Sequence, residues 1–322
     1  MNGSHIAELV APEMEGLDRE MTRILGTDHP FLAELNERIM ASPGKRLRPK
    51  LLVLCCKMLN YAGDDAPLFG AVFELIHTAT LIHDDIIDEA QTRRGRNTLN
   101  HVMDNTITVL YGDLLYTKAH STAIETGRLD VLHTITWVSE RMIEGELLQY
   151  KINYDSTISE DTYFDVLKRK TAYLFAGTTK AAGMIAERTP EETEKLFEYG
   201  FNLGVSFQLI DDLLDYTGSE DVLGKPVLQD LREGKVTLPL IRMLAEDDGT
   251  IRDQIHQFWE EKEETLPPEL VTRIQESDHL KQSWELARDY AEKAVTALQG
   301  FEPNPIWHIL TTMPLQLLQR HK

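Results

Sequence analysis

The chain has 322 residues, of which 42% are hydrophobic, so we expect one or two domains with a large buried core. Its formal net charge of −20 argues against nucleic acid as a partner and against electrostatic attachment to an anionic membrane surface. The partners that remain are small molecules and metal ions.

The stretch Met1–Glu20 carries acidic residues and no apolar signal region, and no uninterrupted apolar run reaches the roughly 18 residues of a membrane span. We therefore predict no stable membrane insertion. The two cysteines, Cys55 and Cys56, are adjacent within an apolar run, which indicates buried free thiols. Such thiols are typical of a reducing compartment, so the predicted location is cytoplasmic.

Apolar residues spaced three, four and seven apart predict helices along most of the chain, and no segment shows the alternation of a strand. The predicted fold class is therefore all-α. Tyr216–Val236 contains several glycines and does not fit a helix, so we predict that it forms a mobile lid. The predicted helices are Ile6–Leu25, Pro30–Met40, one that begins at Lys45, Leu68–Glu89, Thr106–Thr126, Val131–Tyr150, Glu160–Ala186, Pro190–Asp215, Thr237–Ala245, Ile251–Trp259 and Leu280–Leu298.

An acidic motif lies at the carboxyl end of the fourth predicted helix. Asp84, Asp85 and Asp88 follow an apolar pattern, and Asp84 and Asp88 lie one turn apart on one face. Unpaired carboxylates in this arrangement repel each other, and burying an ionised carboxylate is costly. Paired carboxylates that leave positions open for water and phosphate are a common way of holding Mg²⁺. We therefore predict Mg²⁺ as the cofactor.

The same spacing recurs at Asp211, Asp212 and Asp215, again among leucine and isoleucine residues. A single copy would also be compatible with an exposed acidic turn, whereas two copies in apolar surroundings favour a functional pair. Two carboxylate faces directed at one cavity would hold metal ions that clamp a diphosphate. The sequence therefore predicts a metal-dependent diphosphate site.

Basic residues accompany these motifs. Lys45 and Arg48 share a face in a first helical turn, where they oppose the helix macrodipole unless an anion is near. Arg93 and Arg94 follow the first motif, and arginine binds phosphate through paired donors. A solvated pair at 45 and 48, and ion pairs between the arginines and the aspartates, remain alternatives. His77, two turns before the first motif on its face, also fits an ordinary core histidine.

Six motifs, in order along the chain, resemble those of the trans-isoprenyl diphosphate synthases, and as a set they are far more specific than any one alone. Two loop positions depart from the family pattern: Leu228, where the family often has glycine, and Asn97, where proline is common. The motifs are Gly-Lys-Arg-Leu-Arg-Pro at 44–49, Leu-Ile-His-Asp-Asp-Ile-Ile-Asp at 81–88 with Arg-Arg-Gly at 93–95, Gly-Glu-Leu-Leu-Gln at 145–149, Lys-Thr-Ala at 170–172, Phe-Gln-Leu-Ile-Asp-Asp-Leu-Leu-Asp at 207–215 and Glu-Gly-Lys-Val-Thr-Leu-Pro at 233–239.

The resemblance implies a single domain over 1–322, an orthogonal helical bundle around a deep central cavity, and usually a homodimer. It implies two substrates, isopentenyl diphosphate and an allylic prenyl diphosphate. Asp85 is a further catalytic candidate and Lys225 a further substrate-binding one. By resemblance, Mg²⁺ on the allylic diphosphate is held by Asp84, Asp88, Asp211 and Asp215, helped by Arg93, Lys170 and Lys235; the other diphosphate is bound by Lys45, Arg48, His77 and Arg94; and Thr171 and Gln208 face the reacting carbons.

In the implied reaction, metal ions help the allylic diphosphate to ionise, and the isopentenyl double bond attacks the resulting cation. A proton is then lost to the departing diphosphate. No protein nucleophile is required, and the sequence shows no Ser-His-Asp or Cys-His pairing. Water has to be excluded, which gives the predicted lid a task.

The small residues Ala79 and Thr80, five and four positions before Asp84, predict the product length. In the family, bulky residues here act as a floor for short products, and small ones open a tunnel along the helix. We therefore predict a long-chain product, hexaprenyl to decaprenyl, with octaprenyl as the single choice. Trp137 is a candidate floor, although an ordinary core tryptophan is the alternative.

Several other functions remain in view. One is a shorter-chain farnesyl or geranylgeranyl diphosphate synthase. A class I terpene cyclase shares the first motif, but the second aspartate motif and the Lys45–Arg48 pair speak against it. A non-catalytic prenyltransferase subunit would be expected to lose the aspartates, and all six are present.

Overall fold

The computed structural model describes residues 3–41, 44–93, 95–217, 228–261 and 267–319, and these are almost entirely helical. A π-helix, Lys168–Ala172, joins α8 to α9. The helices are α1 (Gly3–Leu25), α2 (Pro30–Met40), α3 (Leu47–Met58), α4 (Asp65–Ile87), α5 (Leu99–Val102), α6 (Asn105–Glu125), α7 (Leu129–Ile152), α8 (Glu160–Leu167), α9 (Tyr173–Ile185), α10 (Pro190–Thr217), α11 (Gln229–Arg232), α12 (Leu238–Ala245), α13 (Thr250–Glu261), α14 (Pro268–Gln275), α15 (Asp278–Ala297) and α16 (Pro305–Leu317).

The ends of the predicted helices lie within about one turn of the observed ends, although the predicted helix Glu160–Ala186 is divided by the π-helix into α8 and α9. Side-chain oxygens of Asp104, Ser159 and Ser277 accept backbone N–H groups at the starts of α6, α8 and α15. Tyr216–Val236 was predicted to be non-helical, but α10 continues to Thr217 and α11 forms within it. The lid prediction falls largely on 218–227, outside the described residues.

A two-residue hairpin was not predicted. Strands β1 (Thr92–Arg93) and β2 (Arg96–Asn97) pair antiparallel, with Thr92 opposite Asn97. Gly95, with φ 73°, supplies the left-handed backbone of the turn. Strands this short leave no alternation that a sequence pattern could reveal. Asn97, the departure from the family pattern, lies exposed in β2.

Contacts divide the chain into two compact units, and the prediction of one domain over 1–322 stays a prediction. Unit 1 comprises 1–139, 175–197 and 300–310. Its centre is α4, which packs against α1, α3 and α6. Phe69 and Phe73 on α4 are fully buried, and Gly70 lets Leu17 of α1 approach to contact distance. Burial of each large apolar side chain contributes about 1.5–3 kcal/mol, so this helix carries much of the stability of unit 1.

Unit 2 comprises 140–174, 198–299 and 311–322. The hydroxyl of Ser206 on α10 donates a 2.8 Å hydrogen bond to the carbonyl of Ala287 on α15. Arg242 on α12 forms a bidentate pair with Glu160 at the start of α8, at 2.9 and 3.0 Å. The first of these contacts fixes α10, which carries the second aspartate motif, and the second joins α12 to α8.

Within the described ranges, α4 alone is long and apolar enough to cross a membrane, and 61% of its most apolar window is buried inside the protein. A core helix satisfies the same test of length and composition. The observation therefore does not by itself indicate a membrane span.

Candidate active site

The first aspartate motif lies at the carboxyl end of α4. Asp84 and Asp85 occupy the last turn, Asp88 is the C-cap, and its N–H donates to the carbonyl of Asp84 at 2.8 Å. The last turn contains no basic residue, so the acidic groups meet the negative end of the helix dipole. Asp84 and Asp88 are half-buried, whereas Asp85 is buried. This accumulation of negative charge favours a cation at the helix end.

Asp85 is paired with Arg93 rather than open to a ligand. The Nε atom of Arg93 donates to the Asp85 carboxylate at 2.6 Å. Burial raises the pKa of Asp85 above its usual value, and the positive charge of Arg93 offsets this in part. The alternative of an ion pair inside the motif therefore holds for Arg93. Its predicted role in binding substrate stays a prediction, and Arg94 lies outside the described residues.

The predicted cations of unit 1 have different surroundings. Lys45 is exposed beside the start of α3. The guanidinium of Arg48 lies 4.8 Å from the ring centroid of the fully buried Phe175, which holds the arginine against an apolar wall. His77 is half-buried on α4. The structure thus orients Arg48 by packing and leaves Lys45 in water.

The two residues on α4 that were predicted to set the product length differ in exposure. Ala79 is completely buried, and it shares a helix face with His83, whose ring contacts Gly112 of α6. Thr80 is half-buried on the face of Asp84, and its hydroxyl donates to the carbonyl of His77 at 2.8 Å. Trp137, on α7, is half-buried and packs on Phe197 with ring centroids 6.0 Å apart. The predicted roles of all three in chain length stay predictions.

Lys170 and Thr171 lie in the π-helix. A π-helix is rare, and single turns of this kind occur often at functional sites. Lys170 Nζ pairs with Glu146 at 2.5 Å, and a Cβ atom at Gly145 would lie 2.7 Å from the backbone nitrogen of Lys170. The Gly-Glu pair of α7 therefore supports this turn, a role that sequence reasoning did not assign although the motif was recognised.

The second aspartate motif presents its three carboxylates differently. Asp211 is exposed, whereas Asp212 and Asp215 are 7% and 2% exposed. Gln208 donates from Nε2 to Asp212 at 2.8 Å, and its Oε1 accepts the hydroxyl of Thr171 at 2.8 Å. The structure therefore brings Thr171 and Gln208 together, and their predicted position beside the reacting carbons stays a prediction.

Asp212 has a second donor that the sequence did not suggest. Tyr163 of α8 donates its hydroxyl to the other Asp212 oxygen at 2.5 Å. Burial, reinforced by the charges of Asp211 and Asp215, raises the pKa of Asp212 to about 7, although these two hydrogen bonds lower it. Tyr163 and Asp212 are far apart in sequence, so no local spacing could have revealed the pair.

Asp215 holds the segment at 228–230. Its Oδ2 accepts the N–H of Asp230 at 3.0 Å, and its carbonyl accepts the N–H of Leu228 at 2.9 Å. Leu228 has a left-handed backbone, with φ 61°, which explains why glycine suits this position in the family. Lys235 pairs with Glu233 at 2.7 Å. Lys225 lies outside the described residues.

The donors of the two motifs fit a hard divalent cation. Among the described residues, no group of three His, Cys, Asp or Glu side chains could hold a metal ion by itself. Mg²⁺ is usually held by one or two carboxylates completed by water and substrate phosphates, so a partial set of oxygen donors is what it requires. Asp84 and Asp88, one turn apart at a helix end, provide such a set.

Comparison with known proteins identifies the family. The model of the polyprenyl synthetase family matches residues 29–274. The chain belongs to the polyprenyl synthetase family. It is 38% identical, over 95% of each chain, to the octaprenyl diphosphate synthase of Escherichia coli. The fold matches a decaprenyl diphosphate synthase from Rhodobacter capsulatus with a TM-score of 0.93 and 30% identity over all of both chains.

A third similar protein has been solved with ligands. It is a polyprenyl synthase from Caulobacter crescentus, complexed with calcium and isoprenyl diphosphate; it has a TM-score of 0.91 and 33% identity over 100% of this chain and 98% of that one. The comparisons confirm the predicted family, the all-α isoprenoid synthase fold and a prenyltransferase activity that makes long-chain products. Members of this family generally use a divalent metal.

Proposed function

We propose that the chain condenses an allylic diphosphate with successive isopentenyl diphosphates and releases an all-trans polyprenyl diphosphate of about the octaprenyl length. The observation that carries this proposal is the match to a decaprenyl diphosphate synthase over the whole of both chains, with both aspartate motifs intact. The metal is Mg²⁺, held by Asp84, Asp88, Asp211 and Asp215.

When bound, Mg²⁺ supplies Lewis-acid neutralisation of the charge that develops on the leaving diphosphate. The protein adds its own cations. Lys170 and Lys235 bind the allylic diphosphate, and each is already held by a carboxylate, from Glu146 and Glu233. Arg93 joins them by exchanging its pairing with Asp85 for phosphate oxygens, a change that planar paired donors allow.

A second group of residues binds isopentenyl diphosphate without metal. This group is Lys45, Arg48, His77 and Arg94. The packing of Arg48 on Phe175 supports the assignment, because a guanidinium that is already held has less conformational entropy to lose when it binds an anion. The hydrogen bond between Thr171 and Gln208 supports a shared role beside the reacting carbons, where their oxygens would favour the positive charge of the allylic cation.

The predicted homodimer is supported by exposed apolar side chains. Ile143, Leu147 and Tyr150 follow one another at spacings of four and three along one face of α7 and are 51–69% exposed. This is the spacing of a helix seam that packs on a second helix. We propose that a second copy of the chain covers this face. The enzyme works in the cytoplasm, a location that the buried free thiols support. Leu147→Glu should lower the molecular mass measured by sedimentation equilibrium, and an unchanged mass would exclude this face.

The experiment that tests the function combines purified protein, Mg²⁺, farnesyl or geranylgeranyl diphosphate and labelled isopentenyl diphosphate, with the products sized by chromatography. We expect a ladder that ends between hexaprenyl and decaprenyl diphosphate. Asp84→Asn should lower the rate more than a hundredfold, whereas the exposed Asp289→Asn should not. Products that stop at farnesyl or geranylgeranyl, a cyclised hydrocarbon, or no incorporation would each overturn the proposal.

A further inference from the structure

A chain of hydrogen bonds runs from α8 to the π-helix through α10. Tyr163 donates to Asp212, Gln208 donates to the other oxygen of the same carboxylate, and Thr171 donates to the oxygen of Gln208. Tyr163, Asp212 and Thr171 are 7–8% exposed, so bulk water cannot readily replace a missing partner. Buried polar groups with few alternative partners adopt one arrangement.

The carboxylate decides which way the Gln208 amide points. Both Asp212 oxygens act as acceptors here, one for the Tyr163 hydroxyl and one for Nε2 of Gln208, so the amide turns its NH₂ group towards the carboxyl group. The amide oxygen therefore faces Thr171 and takes the hydrogen of its hydroxyl. The hydroxyl can then offer only its oxygen lone pairs to a neighbouring group. An oxygen lone pair stabilises a developing positive charge, whereas a hydroxyl hydrogen would repel it.

We propose that Tyr163 and Asp212 are positioning residues that orient the Thr171 hydroxyl. In this orientation its oxygen lone pairs, not its hydrogen, face the cation formed during prenyl transfer. The Tyr163 hydroxyl donates to Asp212, and Asp212 fixes the orientation of the Gln208 amide. The amide oxygen then accepts the hydroxyl hydrogen of Thr171. Neither Tyr163 nor Asp212 has to touch the substrate. The inference rests on the proposed function, because it requires a cation beside Thr171.

A double-mutant cycle tests the proposal. Tyr163→Phe should lower kcat about tenfold and leave KM for both substrates within about threefold, as expected when an interaction acts in the transition state alone. Thr171→Val should lower kcat further. If Tyr163 acts through Thr171, adding Tyr163→Phe to Thr171→Val should not lower kcat again, whereas independent sites give multiplied effects.

Tyr111→Phe is the matched control. Tyr111 is 2% exposed and its hydroxyl donates to Asn36 at 2.8 Å, so the variant loses a comparable buried hydrogen bond in unit 1. It should lose stability and keep kcat. If Tyr163→Phe does not fold, the cycle is run with Asp212→Asn. Multiplied effects in the cycle, an unchanged kcat for Tyr163→Phe, or an equal loss in Tyr111→Phe would overturn the inference. Wild-type turnover in the same assay tests the proposed function separately.

Discussion

Gly145 of α7 approaches the π-helix so closely that a Cβ atom there would lie 2.7 Å from the backbone nitrogen of Lys170 and 2.8 Å from the Cβ of Arg169. The next residue, Glu146, pairs with the Lys170 side chain. Backbone contact and ion pair together hold the turn that presents Lys170 and Thr171. The glycine is therefore required by space rather than by backbone conformation.

Gly145→Ala should destabilise the protein by about 1–3 kcal/mol and lower activity at least tenfold, because backbone atoms rather than a flexible side chain have to move. Thermal unfolding and kcat check this expectation. Lys151→Ala, at an exposed position on the same helix, is the control and should change neither. An active and fully stable Gly145→Ala would show that the close contact is unimportant.

Diphosphate and Mg²⁺ together should stabilise the protein against heat, since a ligand that binds only the folded state raises the unfolding temperature. Inorganic pyrophosphate with Mg²⁺ is the probe, measured by scanning fluorimetry with and without EDTA. Asp84→Asn should reduce the shift, and Asp289→Asn should retain it. A shift that survives EDTA would contradict the assignment of the aspartates to metal binding.

Ala79→Tyr should shorten the product, as the family pattern implies. Because Ala79 has no exposed surface, the larger side chain also overpacks the protein, at about 1–3 kcal/mol. The distribution of product lengths does not depend on the fraction of folded enzyme, so it separates the two effects. Ala71→Tyr, at another fully buried position on α4, should cost stability without shortening the product. An unchanged ladder for Ala79→Tyr would place the tunnel elsewhere.

Cys55 and Cys56 should be inert in the native protein. Burial raises the pKa of Cys56 to about 12 and that of Cys55 well above its usual value, so at pH 8 the reactive thiolate is scarce. We expect no labelling by iodoacetamide in buffer and complete labelling in guanidinium. Ser121→Cys, at an exposed position on α6, supplies a reactive control. Rapid native labelling of the wild-type protein would contradict the observed burial.

The sequence predicted most of the helices because periodic apolar residues are a local signal, but it assigned no helix at α5, α14 or α16. Periodic apolar residues mark Asp65–Ile87, and the repeated Asp-Asp-x-x-Asp spacing marks the motifs. It left the pairing of Asp85 with Arg93 as an alternative and did not suggest that Asp212 is held by Tyr163. Those pairings depend on how separate elements pack, which residue spacing does not encode. The π-helix was also missed, because it lies inside a stretch that the sequence predicted as one continuous helix, Glu160–Ala186.

Leu228 combines a left-handed backbone with a side chain that is 1% exposed. Replacing it with glycine would release roughly 1–2 kcal/mol of backbone strain. The same change would remove a buried leucine, whose loss typically costs about 2–5 kcal/mol. The chain thus tolerates an unfavourable torsion in exchange for an apolar anchor next to the second aspartate motif.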